Sequence, residues 1–258
     1  MTNEAQAWSL RRRLAAGECL FGPFLNIPSC VTAEMAGYAG FDFCVIDVEH
    51  SPLTFERAEQ LVRAAQVAGV ASIIRTYDAQ ASTLTRALDT GCDGILVPNL
   101  SSGPEAEAVV RGARFYPEGE RGVHPYVRSA HYGAIPAERY FAEARERTLV
   151  AVQLEGLEGM QNLDDIAAIK GIDVVFVGPY DLSQSLGVPG QVNSPTVLAR
   201  VDEIVSAVRA SHKAVGIYAD NVDDARRWRD KGIQFVGVGF DVRILLGAYQ
   251  AMVSALRN

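Results

Sequence analysis

Lysine is almost missing from this chain: its 258 residues hold three, Lys170, Lys213 and Lys231. Each falls in or beside a turn that leads into an apolar run. A lyase working through a Schiff base needs a lysine amine at the reacting end, so that chemistry is disfavoured by placement. Cysteine is scarce as well, with Cys19, Cys30, Cys44 and Cys92 in or beside apolar runs and no C-x-x-C pair. That pattern argues against a zinc cluster or a disulfide framework and makes a reducing cytoplasm the expected compartment. No apolar run reaches membrane-spanning length. The basic run Arg11-Arg12-Arg13 is followed by Glu18 and two prolines rather than by the unbroken apolar core of an export signal. It is expected to be the solvated face of an N-terminal helix.

Charge of one sign is also short. With 24 basic against 31 acidic residues, a net −7, the chain lacks the basic stripe that nucleic acid or an anionic membrane rewards. Apolar residues at 48% and charged ones at 21% match a soluble globular protein with a sizeable core. The length does not force a division into domains.

What is present is a rhythm. Eight short, β-branched apolar runs recur at residues 19–25, 43–48, 71–76, 94–99, 149–155, 173–178, 213–219 and 234–240. Most are continuously apolar, as strands of a parallel sheet buried on both faces are. Between them lie helical patterns such as "TFERAEQLVRAAQVAG", with Thr54 as N-cap and Gly69 as its stop. Eight strand–helix alternations predict a single (β/α)₈ TIM barrel over residues 1–258. An open doubly wound sheet is the alternative, but the G-x-G-x-x-G spacing it would use for a dinucleotide is missing. Two segments break the rhythm. Residues 114–148, rich in Gly, Pro and aromatics, are expected to form an elaborated loop that shapes the site, and residues 178–195 a polar loop after the sixth strand.

Active sites of such barrels lie at the C-terminal strand ends. Those ends carry Asp47, Glu49 and His50 (strand two), Arg75 (three), Gln153 and Glu155 (five) and Asp181 (six), with Asp220 and Asp241 further out. Singly, each has an ordinary reading: a solvated acid, an N-cap aspartate, a surface histidine. Together they predict a carboxylate-rich mouth, where repulsion raises pKa values unless a cation offsets it. Oxygen ligands without cysteine favour Mg²⁺ or Mn²⁺, with Co²⁺ also admissible, and Glu155 and Asp181 are the first choice as direct ligands.

The motifs "GFDFCVIDVEHSPL", "IIR", "LDTGCDGILVP", "ERGV", "VQLE", "NLDDI" and "VFVGPYDLSQSLG" together resemble the HpcH/HpaI aldolase family of metal-dependent class II pyruvate aldolases, over residues 9–250. The resemblance implies a (β/α)₈ barrel, a C-terminal helix exchanged between subunits, and a hexamer built from dimers. It implies reversible cleavage of 4-hydroxy-2-oxo acids to pyruvate and an aldehyde. By motif, Glu155 and Asp181 would hold the metal, His50 would act in acid–base chemistry and Arg75 would meet the pyruvate oxygens. Asp47 and Glu49 would act through metal-bound water, Gln153 would hold substrate or its water, and Gly178 and Pro179 would line the carboxylate pocket. A family aspartate that pairs with the histidine corresponds to Asp89. Topology puts Asp89 at the end of the third helix, away from its own site, so a neighbouring subunit would have to receive it. The proton on the C4 hydroxyl could pass to His50 or to a metal-bound hydroxide. The aldehyde-side segment carries His124, Arg128 and His131, Phe21 stands where some members have tryptophan, and Tyr180 replaces a small residue. Related barrels cleave citryl or malyl thioesters of coenzyme A. They usually carry a C-terminal extension, and the end of this chain after its last helix favours small free acids.

Overall fold

The computed structural model describes residues 9–257, so residues 1–8 and 258 of the expected barrel lie outside it. Eight parallel strands close in sequence order: β1 (Leu20–Leu25), β2 (Phe43–Asp47), β3 (Ala71–Arg75), β4 (Gly94–Val97), β5 (Leu149–Leu154), β6 (Val174–Val177), β7 (Ala214–Ala219) and β8 (Phe235–Phe240). The fold is the (β/α)₈ barrel. All eight strands fall on the eight apolar runs, each a residue or two shorter than its run.

Among the described residues twelve α-helices accompany them: α1 (Leu10–Ala15), α2 (Cys30–Tyr38), α3 (Phe55–Ala68), α4 (Ala81–Asp89), α5 (Gly103–Ala113), α6 (Ala137–Arg147), α7 (Leu157–Gln161), α8 (Leu163–Ala168), α9 (Pro179–Ser185), α10 (Pro195–Ala210), α11 (Val222–Asp230) and α12 (Asp241–Arg257). Local chemistry sets their ends. The Thr54 side chain accepts from the Arg57 N–H at the start of α3, and Gly69 stops that helix at φ +73°, a conformation that costs glycine little.

Two apolar layers follow from the two-residue period of a strand. One set of side chains points outward against the helices, for example Cys44, Ile46, Ile74, Ile95, Val150, Val152 and Val175. The alternate set fills the barrel: Phe24, Phe43, Val45, Ile73, Leu96, Leu149, Ala151, Val174, Phe176, Tyr218 and Phe235. Phe43 and Phe235 stack there with centroids 4.0 Å apart. α1 closes the floor, because its Leu10 and Leu14 join the interior set.

Three expectations change. The Arg11-Arg12-Arg13 run is only in part a solvated face. Arg11 pairs with Asp173 at 2.8 Å and Arg13 with Asp42 at 2.7 Å, riveting α1 to the floor. Residues 114–148 are not all loop; they contain a 3₁₀ turn (Arg128–Gly133) and α6. This segment lies between a helix end and the start of β5, on the floor side, where Arg128 donates to the Thr90 carbonyl and to Gln66. His124, Arg128 and His131 therefore stay away from their own chain's mouth. Finally, residues 178–195 open with a short helix, α9, rather than plain loop.

Candidate active site

The strand period carries inward-facing positions past the apolar core to the mouth. Phe43 and Val45 lead to Asp47, Ile73 to Arg75, Leu149 and Ala151 to Gln153 and Glu155, and Val174 and Phe176 to Gly178. Parallel register sets Asp47 directly beside Arg75. Their side chains form a two-point bond, Arg75 Nε to Asp47 Oδ1 at 2.8 Å and Nη2 to Oδ2 at 2.7 Å. Both are buried, Asp47 completely. Asp47 Oδ1 also accepts from the backbone N–H groups of Glu49 and His50 at 3.1 and 3.3 Å. All of these bonds serve Arg75 and the turn after β2. The arrangement lets Asp47 fix Arg75 and that turn together.

Glu49 follows with Oε2 3.4 Å from Arg75 Nη1 and 3.7 Å from His50 Nε2. That oxygen is buried and accepts no hydrogen bond from the described residues. Burial raises the Glu49 pKa, opposed by Arg75 and His50. The His50 side chain is 63% exposed, the most open polar group of this stretch. Burial works against the Arg75 charge, but hydrogen bonding and attraction from Asp47, with Glu49 and Glu155, hold its pKa above the ordinary value.

Across the mouth, Glu155 is 4% exposed. Its Oε1 accepts the Asn99 N–H at 3.0 Å and its Oε2 accepts from the Gln153 amide. Burial, then repulsion from Asp181, pushes its pKa up to about 7, with Glu49 adding to the rise. Asp181 sits exposed in the first turn of α9. A Cβ at Gly178 would run into Glu155 Oε2 and lie 2.6 Å from Gln153 Nε2, so a side chain there would displace the two groups it faces. The Gln153 Oε1 atom is buried and has no hydrogen-bond partner among the described residues.

One contributor was not singled out by sequence. Asn99, two residues past the end of β4, has φ +59°, a left-handed conformation asparagine tolerates, and so aims its N–H at Glu155. The cue, a polar residue just after "GILVP", is weak because the contact is made by backbone.

The structure does not bring Asp89 to this group. It ends α4 on the floor side and pairs with Arg121 at 2.7 Å. The three lysines also precede strands, so none stands at the mouth.

Among the described residues, no three His, Cys, Asp or Glu side chains form a metal cage. The pair Glu155 and Asp181 nonetheless fits a hard divalent ion, which commonly takes one or two carboxylates and completes its shell with water and substrate oxygens. A buried carboxylate held near neutrality, with unpartnered oxygens of Gln153 and Glu49 close by, suits such an ion and an oxygen-rich ligand.

The family model described as HpcH/HpaI aldolase/citrate lyase matches residues 20–248. A hydroxypyruvate/pyruvate aldolase of Pseudomonas aeruginosa is 34% identical over 96% of this chain and 92% of its own. A 5-keto-4-deoxy-D-glucarate aldolase of Citrobacter koseri is 32% identical over 100% of both chains. Among solved structures, the citrate synthase SbnG superposes with a TM-score of 0.88 at 30% identity, covering 97% of this chain and 98% of its own. The chain belongs to the HpcH/HpaI aldolase/citrate lyase family and is a carbon–carbon lyase.

Proposed function

We propose that this enzyme reversibly cleaves 4-hydroxy-2-oxo acids to pyruvate and an aldehyde with a divalent cation, Mg²⁺, Mn²⁺ or Co²⁺, held by Glu155 and Asp181. The observation that carries the reading is the pairing of these two carboxylates beside buried, unpartnered acceptor oxygens and a fixed guanidinium. The hydroxypyruvate/pyruvate aldolase at 34% identity and the 5-keto-4-deoxy-D-glucarate aldolase at 32% support aldol chemistry on an oxo acid.

When bound, the cation supplies Lewis-acid charge against the negative charge that develops on the 2-oxo oxygen. The chain's own groups do the rest. Arg75, held rigid by Asp47, directs a second positive charge at that oxygen and needs no reorganisation as charge builds. His50, open to solvent and next to Glu49, takes the C4 hydroxyl proton in cleavage and returns it in synthesis. Glu49 keeps the imidazole near. Gln153 offers its free Oε1 to a substrate hydroxyl or a water. Gly178 and Pro179 leave room for the carboxylate of the 2-oxo acid.

The assembly in this reading is a cytoplasmic homohexamer, a trimer of dimers with α12 exchanged. No residue of α12 is buried, and Ile244, Leu246, Tyr249, Met252 and Leu256 are 49–86% exposed. An apolar face of this kind calls for a partner surface. In such an assembly Asp89 would serve the His50 of a neighbour.

Removal of metal tests the proposal. Cleavage of a 4-hydroxy-2-oxo acid should vanish in excess chelator and return with Mg²⁺ or Mn²⁺; full activity after dialysis against chelator would contradict it. Cleavage of malyl-CoA, with none of the free acids, would assign the chain instead to the thioester lyases.

A further inference from the structure

A row of aromatic rings runs along one side of the mouth. The Arg75 guanidinium carbon lies 5.1 Å from the centre of the Phe24 ring, Phe24 meets Tyr218 edge to face at 5.7 Å, and Tyr218 lies 6.2 Å from Tyr180. These are the separations of interacting rings. The row thus links the fixed guanidinium to Tyr180, the residue before Asp181. Tyr180 is 46% exposed, and its hydroxyl donates to both carboxylate oxygens of Asp220, at 3.0 and 2.9 Å.

That bond decides what the end of the row can offer. With its proton directed to Asp220, the phenol presents only its oxygen lone pairs, and Asp220 adds acceptors and a full negative charge. Among the described residues no cation forms an ion pair with Asp220. Arg243, in the first turn of α12, reaches Tyr180 and Tyr218 through its field, without an ion pair to Asp220 among the described residues. Asp224, the other acid acting on Tyr180, is tied to Arg227 at 3.0 Å.

We propose that Tyr180 and Asp220 form the acceptor-side wall of the site and select a neutral, hydroxyl-bearing aldehyde over one that ends in a carboxylate. The proposal rests on the aldolase reading above. A hydroxyl on the aldehyde donates to Asp220 or to the phenol oxygen. A terminal carboxylate brought to the same wall meets a like charge with no cation in contact, and repulsion of this kind is a common source of selectivity.

A one-tube competition tests it, with pyruvate, Mg²⁺ and equal concentrations of glyceraldehyde and succinic semialdehyde. Because both products form together, a general loss of activity in a variant cancels from their ratio. The wild type should favour the glyceraldehyde product. Asp220→Asn, which keeps the shape and removes the charge, should move the ratio toward the succinic semialdehyde product by about tenfold, the scale of one lost like-charge contact of roughly 1.4 kcal/mol. Tyr180→Ala, which removes the ring that holds Asp220 in place, should move it the same way. Wild-type preference for succinic semialdehyde, or ratios within about twofold of wild type in both variants, would overturn the wall. Exchange of pyruvate methyl protons with D₂O by the wild type separates the two failures. Exchange with an unmoved ratio removes the wall alone, whereas absence of exchange removes the aldolase reading and the wall with it.

Discussion

Asp47 and Arg75 show how a residue-level pattern becomes a site. The two-residue period points both into the barrel, and parallel register places them side by side. Each leaves a buried charge if the other is removed, a loss that typically costs about 3–5 kcal/mol. Asp47→Ala should therefore unfold at markedly lower denaturant concentration as well as lose turnover; unchanged stability in urea would show that the pair is not a structural unit. Legibility at this scale follows side-chain chemistry. Glu155, Asp181, Gln153 and Arg75 stand out because a charged or polar side chain ends or follows an apolar run. Asn99 does not, because its part is a backbone N–H presented by a left-handed φ. The bidentate use of Asp47 was equally hidden, since a carboxylate at a strand end gives no sign of which neighbour will claim its oxygens.

At the scale of elements, the eight strands and the caps of α3 were readable from local pattern. Thr54→Ala should cost about 1 kcal/mol through the lost N-cap and lower the Tm by about 2–4 °C, with activity retained, since the bond it removes, accepted from the Arg57 N–H, is made within the cap of α3. A loss of turnover without loss of stability would show that this helix reaches the chemistry. Residues 114–148 were harder to read. Glycines, prolines and aromatics announce an elaborated segment, but they do not say at which end of the barrel it packs. That depends on Arg128 meeting Thr90 and Gln66 and on Arg121 meeting Asp89, contacts between residues 32 to 62 positions apart. Composition also left α9 unseen within 178–195, where Pro179 at the first turn starts a helix only seven residues long.

For the whole molecule, one chain supplies a barrel with a carboxylate-rich mouth, but it leaves Asp89 and His50 at opposite ends. The apolar face of α12 is left open as well. If neighbouring copies complete the site, co-assembled His50→Ala and Asp89→Asn chains should regain activity that neither has alone, because some sites then combine an intact His50 with an intact Asp89. Mixed oligomers as inactive as their parents would confine the chemistry to one chain. The central claim, that Glu155 and Asp181 hold a cation which lets this site take a proton from pyruvate, is tested most directly by proton NMR of pyruvate in D₂O. With enzyme and Mg²⁺ the methyl signal should fade as deuterium enters, and the fading should stop on adding chelator and be absent in Glu155→Gln. Exchange no faster than without enzyme, or exchange indifferent to chelator, would contradict it.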